Sequence, residues 1–161
     1  MRARYVVVVE GDSILPERDS LIESAWGDLP VSYIQGNEKL NESDFLDFKI
    51  NKWEINNNWS NKQSSEPFIR LEILKQDSLV EYVVKEGLIL PAHNYSGFLL
   101  VFEIDSNAEL VDEISLFRVL SVFSDEYKVY RWTNTVEALG SEFFSLVPSR
   151  EKLMEMICSY I

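Results

Sequence analysis

Apolar and polar residues alternate along this chain in blocks that predict strands and helices in turn. Residues 97–104 form a run of strand length that is apolar apart from Glu103, and apolar positions within 108–123 then recur every three or four residues, the period of a helix with one buried face. Asp105 and Ser106 predict the N-terminal cap of that helix, and 127–132 alternates as a strand. A strand this apolar is covered on both faces, so the unit predicts the centre of a mixed sheet with two strands paired in parallel.

The start of the chain predicts the same order of elements. Residues 4–10 have the apolar composition of an interior strand. Pro16 suits the first turn of a helix, Gly27 suits its end, and 30–35 predicts a second strand. Both halves of the chain therefore favour helices packed against one sheet.

The remaining residues complete a single α/β or α+β domain, 1–161, with a mixed sheet of about five or six strands and three or four packed helices. The run at 56–66 is rich in Asn and Ser, whose side chains compete with regular backbone hydrogen bonds. It predicts a polar, exposed loop within the domain. The other predicted elements are a helical turn at 41–48, strands at 48–55, 67–74 and 142–147, helices at 77–87 and from 148 onward, and a helix or turn at 133–140.

The charge of the chain indicates either a basic binding partner or simply an acidic surface that keeps the protein soluble. The 161 residues include 27 acidic and 15 basic side chains, for a formal net charge of −12. Nucleic acid is an unfavourable partner for such a surface, because phosphate binding requires cationic side chains. A basic protein is the natural complement.

The cysteine content and the hydropathy of the chain favour a particular cellular compartment. The single cysteine, Cys158, allows no intrachain disulfide, which suits a reducing compartment. The sequence contains no run approaching the roughly 20 apolar residues that cross a bilayer. We therefore expect a cytoplasmic protein that does not bind membranes.

The most polar part of the chain supplies the candidate binding residues. Acidic side chains alternate there with aromatic ones, and an interface typically uses aromatic anchors while acids steer the approach of a basic partner. An alternative is that Trp53 belongs to the core and that Trp59 fixes the loop over it. The predicted partner-binding residues are Asp44, Asp47, Trp53, Glu54, Trp59 and Glu66.

Strand-end carboxylates offer a different chemistry. Glu10 ends the first predicted strand and Asp12 follows it, while Glu103 and Asp105 lie at the end of the strand at 97–104. Residues two apart on a strand share a face, so parallel neighbouring strands would bring four hard oxygen ligands together for Mg²⁺ or Mn²⁺. Acids are also common at exposed strand ends and helix caps. We favour that simpler interpretation and expect no cofactor.

Motifs of known chemistry do not occur in the sequence. There is no Cys-x-x-Cys, no Gly-x-x-x-x-Gly-Lys and no Gly-x-Ser-x-Gly. In size, acidity and lack of an active-site motif the chain resembles the small acidic immunity proteins that neutralise bacterial nuclease toxins. The resemblance implies a non-enzymatic inhibitor that binds the basic surface of a toxin. The alternatives are a metal-dependent enzyme using the strand-end carboxylates and a structural or adaptor domain.

Overall fold

A computed structural model describes residues 3–60, 67–90 and 97–161 and shows an α+β fold. In these ranges seven strands belong to one sheet, one or two more than the sequence predicts. The strands are β1 (Arg4–Val9), β2 (Val31–Gln35), β3 (Phe45–Ile50), β4 (Ile69–Lys75), β5 (Phe98–Ile104), β6 (Lys128–Trp132) and β7 (Val136–Leu139). The helices are α1 (Arg18–Trp26), α2 (Lys52–Ile55), α3 (Gln76–Glu86), α4 (Leu110–Ser124), α5 (Ser141–Ser145) and α6 (Arg150–Cys158).

The sheet has the strand order β2-β3-β4-β5-β1-β6-β7, and each of these pairings is antiparallel. The predicted mixed sheet with a parallel β5–β6 pair is therefore wrong. β5 and β6 do run in the same direction, but β1 lies between them and is antiparallel to both. Gly97 permits this insertion, because a Cβ atom at that position would overlap the carbonyl group of Val9.

One side of the sheet, called here the first face, carries the main core. Alternate strand residues such as Val7, Leu71 and Phe102 point to it and are buried. Helices α1, α4 and α6 cover these residues with their own apolar side chains. Trp26 of α1 packs on Phe48 of β3, with 5.2 Å between the ring centroids. Phe102 is 0% exposed on this face, and Val8, which points to the other side of the sheet, is 5% exposed.

The opposite side, the second face, is covered over part of its area. Leu79 of α3 is buried in a smaller core that also contains Val6, Val101 and Tyr130. Gly87 ends α3 in the left-handed conformation, with φ 67°, which only glycine adopts without strain. The four longer helices match the predicted three or four, and α2 and α5 are additional single turns.

The local predictions fail where short patterns are ambiguous. The strand predicted at 48–55 is β3, and it begins at Phe45 and ends at Ile50. Leu46, Phe48 and Ile50 are its buried alternate residues. A three-residue 3₁₀ turn, Leu40–Glu42, replaces the helical turn predicted at 41–48.

The predictions after β6 are also corrected. Strand β7 lies within 133–140, where a helix or turn was predicted, and helix α5 replaces the strand predicted at 142–147. Helix α4 begins after Glu109, so Asp105 and Ser106 are not its cap. The Asp105 carboxylate accepts the backbone N–H of Phe68 instead, at 3.1 Å.

A buried ion pair joins α2 to the start of α4. Lys52 Nζ lies 2.5 Å from Asp112 Oδ1, and both side chains are less than a tenth exposed. Asp112 also accepts the backbone N–H of Glu109 and so caps α4. Such a pair fixes the relative position of two elements, because removing one partner leaves an unpaired charge in the interior.

Candidate functional site

The predicted partner-binding residues do not form one patch. Asp44 and Glu54 are exposed, but they lie beyond opposite ends of β3. A strand of that length separates them by about 20 Å. Asp47 lies between them on the second face, and Glu66 lies outside the described residues.

Trp59 is a buried residue and not a surface anchor. It is 2% exposed, its indole N–H donates to the carbonyl of Ile157 at 3.0 Å, and its ring stacks on Tyr160 with 3.7 Å between centroids. Asn56 holds the same tail by donating to three carbonyl oxygens beyond α6 or at its end. Trp59 therefore fixes its segment to the C-terminal residues and presents almost no surface to a partner.

Trp53 also faces inward to a large extent. It is half-buried and packs against the core of the first face. Neither tryptophan shares a surface with Asp47, because the first face and the second face lie on opposite sides of the sheet. The aromatic anchors of any site around Asp47 must come from other residues.

The four strand-end carboxylates lie in two separate places. β1 and β5 are neighbours, but they are antiparallel, with Val9 opposite Phe98 and Tyr5 opposite Phe102. Glu10 and Asp12 therefore follow one end of this pair, while Glu103 and Asp105 lie at the other, about 20 Å away. Within the described part of the chain, no three His, Cys, Asp or Glu side chains are grouped to hold a metal ion. The four carboxylates therefore do not form the shared site that the metal-dependent alternative requires.

A row of charged residues crosses the open part of the second face. The strand registers place Asp47, Arg70, Glu103 and Arg4 side by side on β3, β4, β5 and β1, and Trp132 completes the row on β6. Arg4 stacks on Trp132 at 3.7 Å. Its guanidinium also contacts Glu103 at 3.8 Å and donates to the Tyr82 hydroxyl at 3.0 Å. These contacts occupy the Arg4 end of the row.

The Asp47 end of the row borders exposed apolar side chains. Ile34 of β2 lies directly opposite Asp47 and is 57% exposed, and Phe45 lies two residues before Asp47 and is 36% exposed. Glu72 of β4 lies opposite Phe45 on the same face. We call Ile34, Phe45, Asp47 and Glu72 the β2–β3 patch. It combines apolar surface and carboxylates, as the sequence prediction requires, but with different apolar residues.

Both carboxylates of this patch have pKa values raised above their ordinary values. Partial burial raises the pKa of Asp47, the nearby Asp105 carboxylate raises it further, and Arg70 opposes both effects. Burial also raises the pKa of Glu72, with Glu103 and Glu86 adding to the rise. Because their ionised forms are disfavoured, both carboxylates would be stabilised by the approach of a cationic group.

The sequence contained signs of the residues that the prediction missed. In β2 the adjacent residues Tyr33 and Ile34 are both apolar, so each side of the strand carries one, and both are exposed. Such a pair departs from the one-sided pattern of a covered strand. Phe45 stood within the acidic–aromatic stretch but carried no feature that set it apart from Trp53 and Trp59.

Comparison with family models, curated protein sequences and solved structures gives no match to this chain. In the described ranges, no helix is both long enough and apolar enough to span a bilayer.

Proposed function

We propose that this protein is a non-enzymatic inhibitor of the immunity type, which neutralises a basic partner, such as a nuclease toxin, by binding its cationic surface. The observation that carries the proposal is the β2–β3 patch. Exposed Ile34 and Phe45 flank Asp47 there, on a part of the sheet that no described helix covers. The net charge of −12 on the whole chain favours the approach of a basic protein.

The apolar and the acidic residues of the patch contribute differently to binding. Phe45 and Ile34 supply apolar area that is removed from water in a complex, which favours slow dissociation. Asp47 and the neighbouring exposed Asp44 attract cationic side chains, which favours fast association. Occupying the phosphate-binding surface of a nuclease would block its substrate.

The first experiment identifies a partner by function. The chain is co-expressed with the product of the neighbouring reading frame in the source organism, and growth is measured. We expect the wild type to relieve toxicity and Asp44→Lys/Asp47→Lys to relieve it poorly. The matched control is Glu142→Lys/Glu155→Lys, which makes the same charge change at exposed sites on α5 and α6.

Binding kinetics then separate steering from anchoring. The Asp44→Lys/Asp47→Lys variant should slow association, and salt should reduce the difference from wild type. Phe45→Ala should speed dissociation roughly 30-fold, which corresponds to about 2 kcal/mol for an anchor residue. The proposal fails if the control pair weakens binding as much as the patch variants, or if the partner is acidic.

A further inference from the structure

We propose that the β2–β3 patch binds an arginine side chain of the partner, with the guanidinium group lying flat on the Phe45 ring and donating hydrogen bonds to the carboxylates of Glu72 and Asp47. This recognition rests on the proposed inhibitory function and specifies which cation of a basic partner the patch selects. It is supported by the closeness of the ring to the carboxylates, by the lack of a cation in contact with them, and by the way the chain binds its own arginines.

The aromatic ring and the carboxylates of the patch extend from neighbouring positions. The N–H of Ile73 donates to the carbonyl of Asp44 at 2.8 Å, so these two residues form a hydrogen-bonded pair of the β3–β4 ladder. The next pair, Phe45 and Glu72, is therefore not hydrogen-bonded, and the Cβ atoms of such pairs lie about 5 Å apart. Asp47 is the diagonal neighbour of Glu72 on the same face, about 7 Å away.

The ring of Phe45 leans toward β2. Its Cε1 and Cδ1 atoms lie beside Gly36, where an added Cβ atom would come within 3.3 Å and 3.4 Å of them. The strand β4, which carries Glu72, lies on the other side of β3. Because the ring leans away from Glu72 and is 36% exposed, a flat cation can enter between the ring and that carboxylate.

Neither carboxylate of the patch has a cation in contact with it. Within residues 3–60, 67–90 and 97–161, no ion pair or hydrogen bond involves the side chain of Asp47 or Glu72. Arg70 lies opposite Asp47 in the sheet, but its guanidinium contacts Asp105 at 3.6 Å. An approaching cation therefore meets two carboxylates that are not already paired.

Arg4 shows how this sheet binds a guanidinium group. Its guanidinium carbon lies 3.7 Å from the centroid of the Trp132 ring, and its Nε atom lies 3.8 Å from the Glu103 carboxylate. Trp132 and Glu103 belong to the strands on either side of β1. Phe45 and Glu72 offer the same two chemical groups in the adjacent row of the second face.

The stacking distances favour arginine over lysine as the bound cation. Arg18 also lies 3.7 Å from the centroid of a ring, that of Tyr33. Lysine ammonium groups near rings lie farther away, at 4.3, 4.9 and 5.8 Å. A planar guanidinium stacks on a ring while its edge donates to carboxylates, whereas an ammonium group is a strongly hydrated point charge. The patch therefore suits a guanidinium.

Capture of an arginine would also explain how binding inhibits a nuclease. Arginine binds phosphate through two parallel N–H donors, so we expect such side chains on a surface that holds nucleic acid. An arginine held by Phe45, Glu72 and Asp47 cannot bind phosphate at the same time. The patch would therefore compete directly with the substrate.

The test measures the binding of a single arginine and needs no toxin. The probes are N-acetyl-arginine N-methylamide and the matching lysine compound, which carry the same charge. Each is titrated into the full isotope-labelled chain up to about 20 mM and followed by NMR. We expect the arginine probe to bind with a dissociation constant of about 5 mM and to shift the resonances of the Phe45 ring and of the Glu72 and Asp47 amides. The lysine probe should bind about threefold more weakly.

Two variants separate the ring from the charge. Phe45→Leu keeps an apolar side chain without a ring, so it should weaken arginine binding about fivefold and abolish the preference over lysine. Glu72→Gln removes a charge at nearly constant size and should weaken both probes about threefold. The matched controls are Tyr33→Leu, at a ring already covered by Arg18, and Glu137→Gln, at an exposed carboxylate of β7. Neither control should change binding.

Equal binding of the two probes would overturn the proposal. So would the absence of binding at the highest concentration, or arginine binding that Phe45→Leu leaves intact. If the chain relieves toxicity while the probes fail these tests, the inhibitory function stands and the patch does not select arginine. If the probes bind as expected but no neighbouring gene product is neutralised, the arginine site stands and the inhibitory function is wrong.

Discussion

The two faces of the sheet differ in which residues their strands send to them, and the difference determines where helices pack. Rows of residues on the first face are apolar from β3 to β1, and three helices cover them. On the second face the row from Asp47 to Arg4 is charged, and α3 covers the apolar rows beside it. A helix gains stability by burying apolar area, so the charged row leaves its part of the sheet open to partners.

The largest expected effect is on the free energy of unfolding, and it emerges from a comparison of two neighbouring residues of β5 that point to opposite faces. Phe102→Ala removes a 0% exposed ring from the first face and should lower the free energy of unfolding by about 3–5 kcal/mol. Glu103→Ala removes a half-exposed contact to Arg4 on the second face and should lower it by less than about 1 kcal/mol. Urea denaturation measures both values. Equal losses would mean that the two faces do not differ in solution as they do in the structure.

A second change tests the ion pair beneath the helices of the first face. Lys52→Met leaves the Asp112 carboxylate buried without its cation and should lower the free energy of unfolding by about 3 kcal/mol. Adding Asp112→Asn removes the unpaired charge and keeps an oxygen that accepts the N–H at the start of α4. The double variant should therefore recover about 1–2 kcal/mol of the lost free energy of unfolding. Denaturation of the two variants provides the comparison. If Lys52→Met matches the wild type, the pair is not buried.

The smallest effect is a pH dependence on the second face. Burial, the largest cause, raises the pKa of Tyr82 from 10.0 to about 12. The unfolded chain therefore loses this proton first, so the stability that Tyr82 contributes is complete below pH 10 and decreases as the pH rises toward 12. For a half-buried group the loss is about 1–2 kcal/mol.

Tyr82→Phe provides the control for that pH dependence. The variant lacks the hydroxyl that accepts from Arg4 and should be about 1 kcal/mol less stable than the wild type at pH 7. The difference should shrink between pH 10 and pH 12, because only the wild type loses stability through this residue. Urea denaturation at several pH values tests this, and a constant difference would contradict the raised pKa of Tyr82.

The parts of the fold that the sequence predicts correctly are those with long local patterns. β1 and β5 are runs that are apolar apart from Arg4 and Glu103, and α3 and α4 show helical spacing over 11 and 15 residues. Their local pattern and their buried environment agree. Four residues of β7 or five of α5 are too few for a period to emerge, so those two elements were assigned wrongly.

Strand order and the candidate site depend on contacts between distant residues. No pattern within 97–132 reveals that β1 separates the two strands of that unit. Trp59 lies in an Asn-rich stretch that predicts exposure, yet it is buried by a tail about 100 residues later in the chain. The surface around Asp47 is likewise open because α3 packs over other residues of the second face. The residues near Asp47 carry no pattern that predicts this.

The position of β1 has a consequence for biosynthesis. Its four consecutive valines emerge early, but its neighbours β5 and β6 begin at Phe98 and Lys128. At translation rates of roughly 5–20 residues per second, this strand waits roughly 5–20 s before its first neighbour is made. During that interval its apolar, extended segment is a target for chaperones and for other nascent chains. We therefore expect the cellular yield of folded protein to depend on translation speed and chaperone supply as well as on the stability of the sheet.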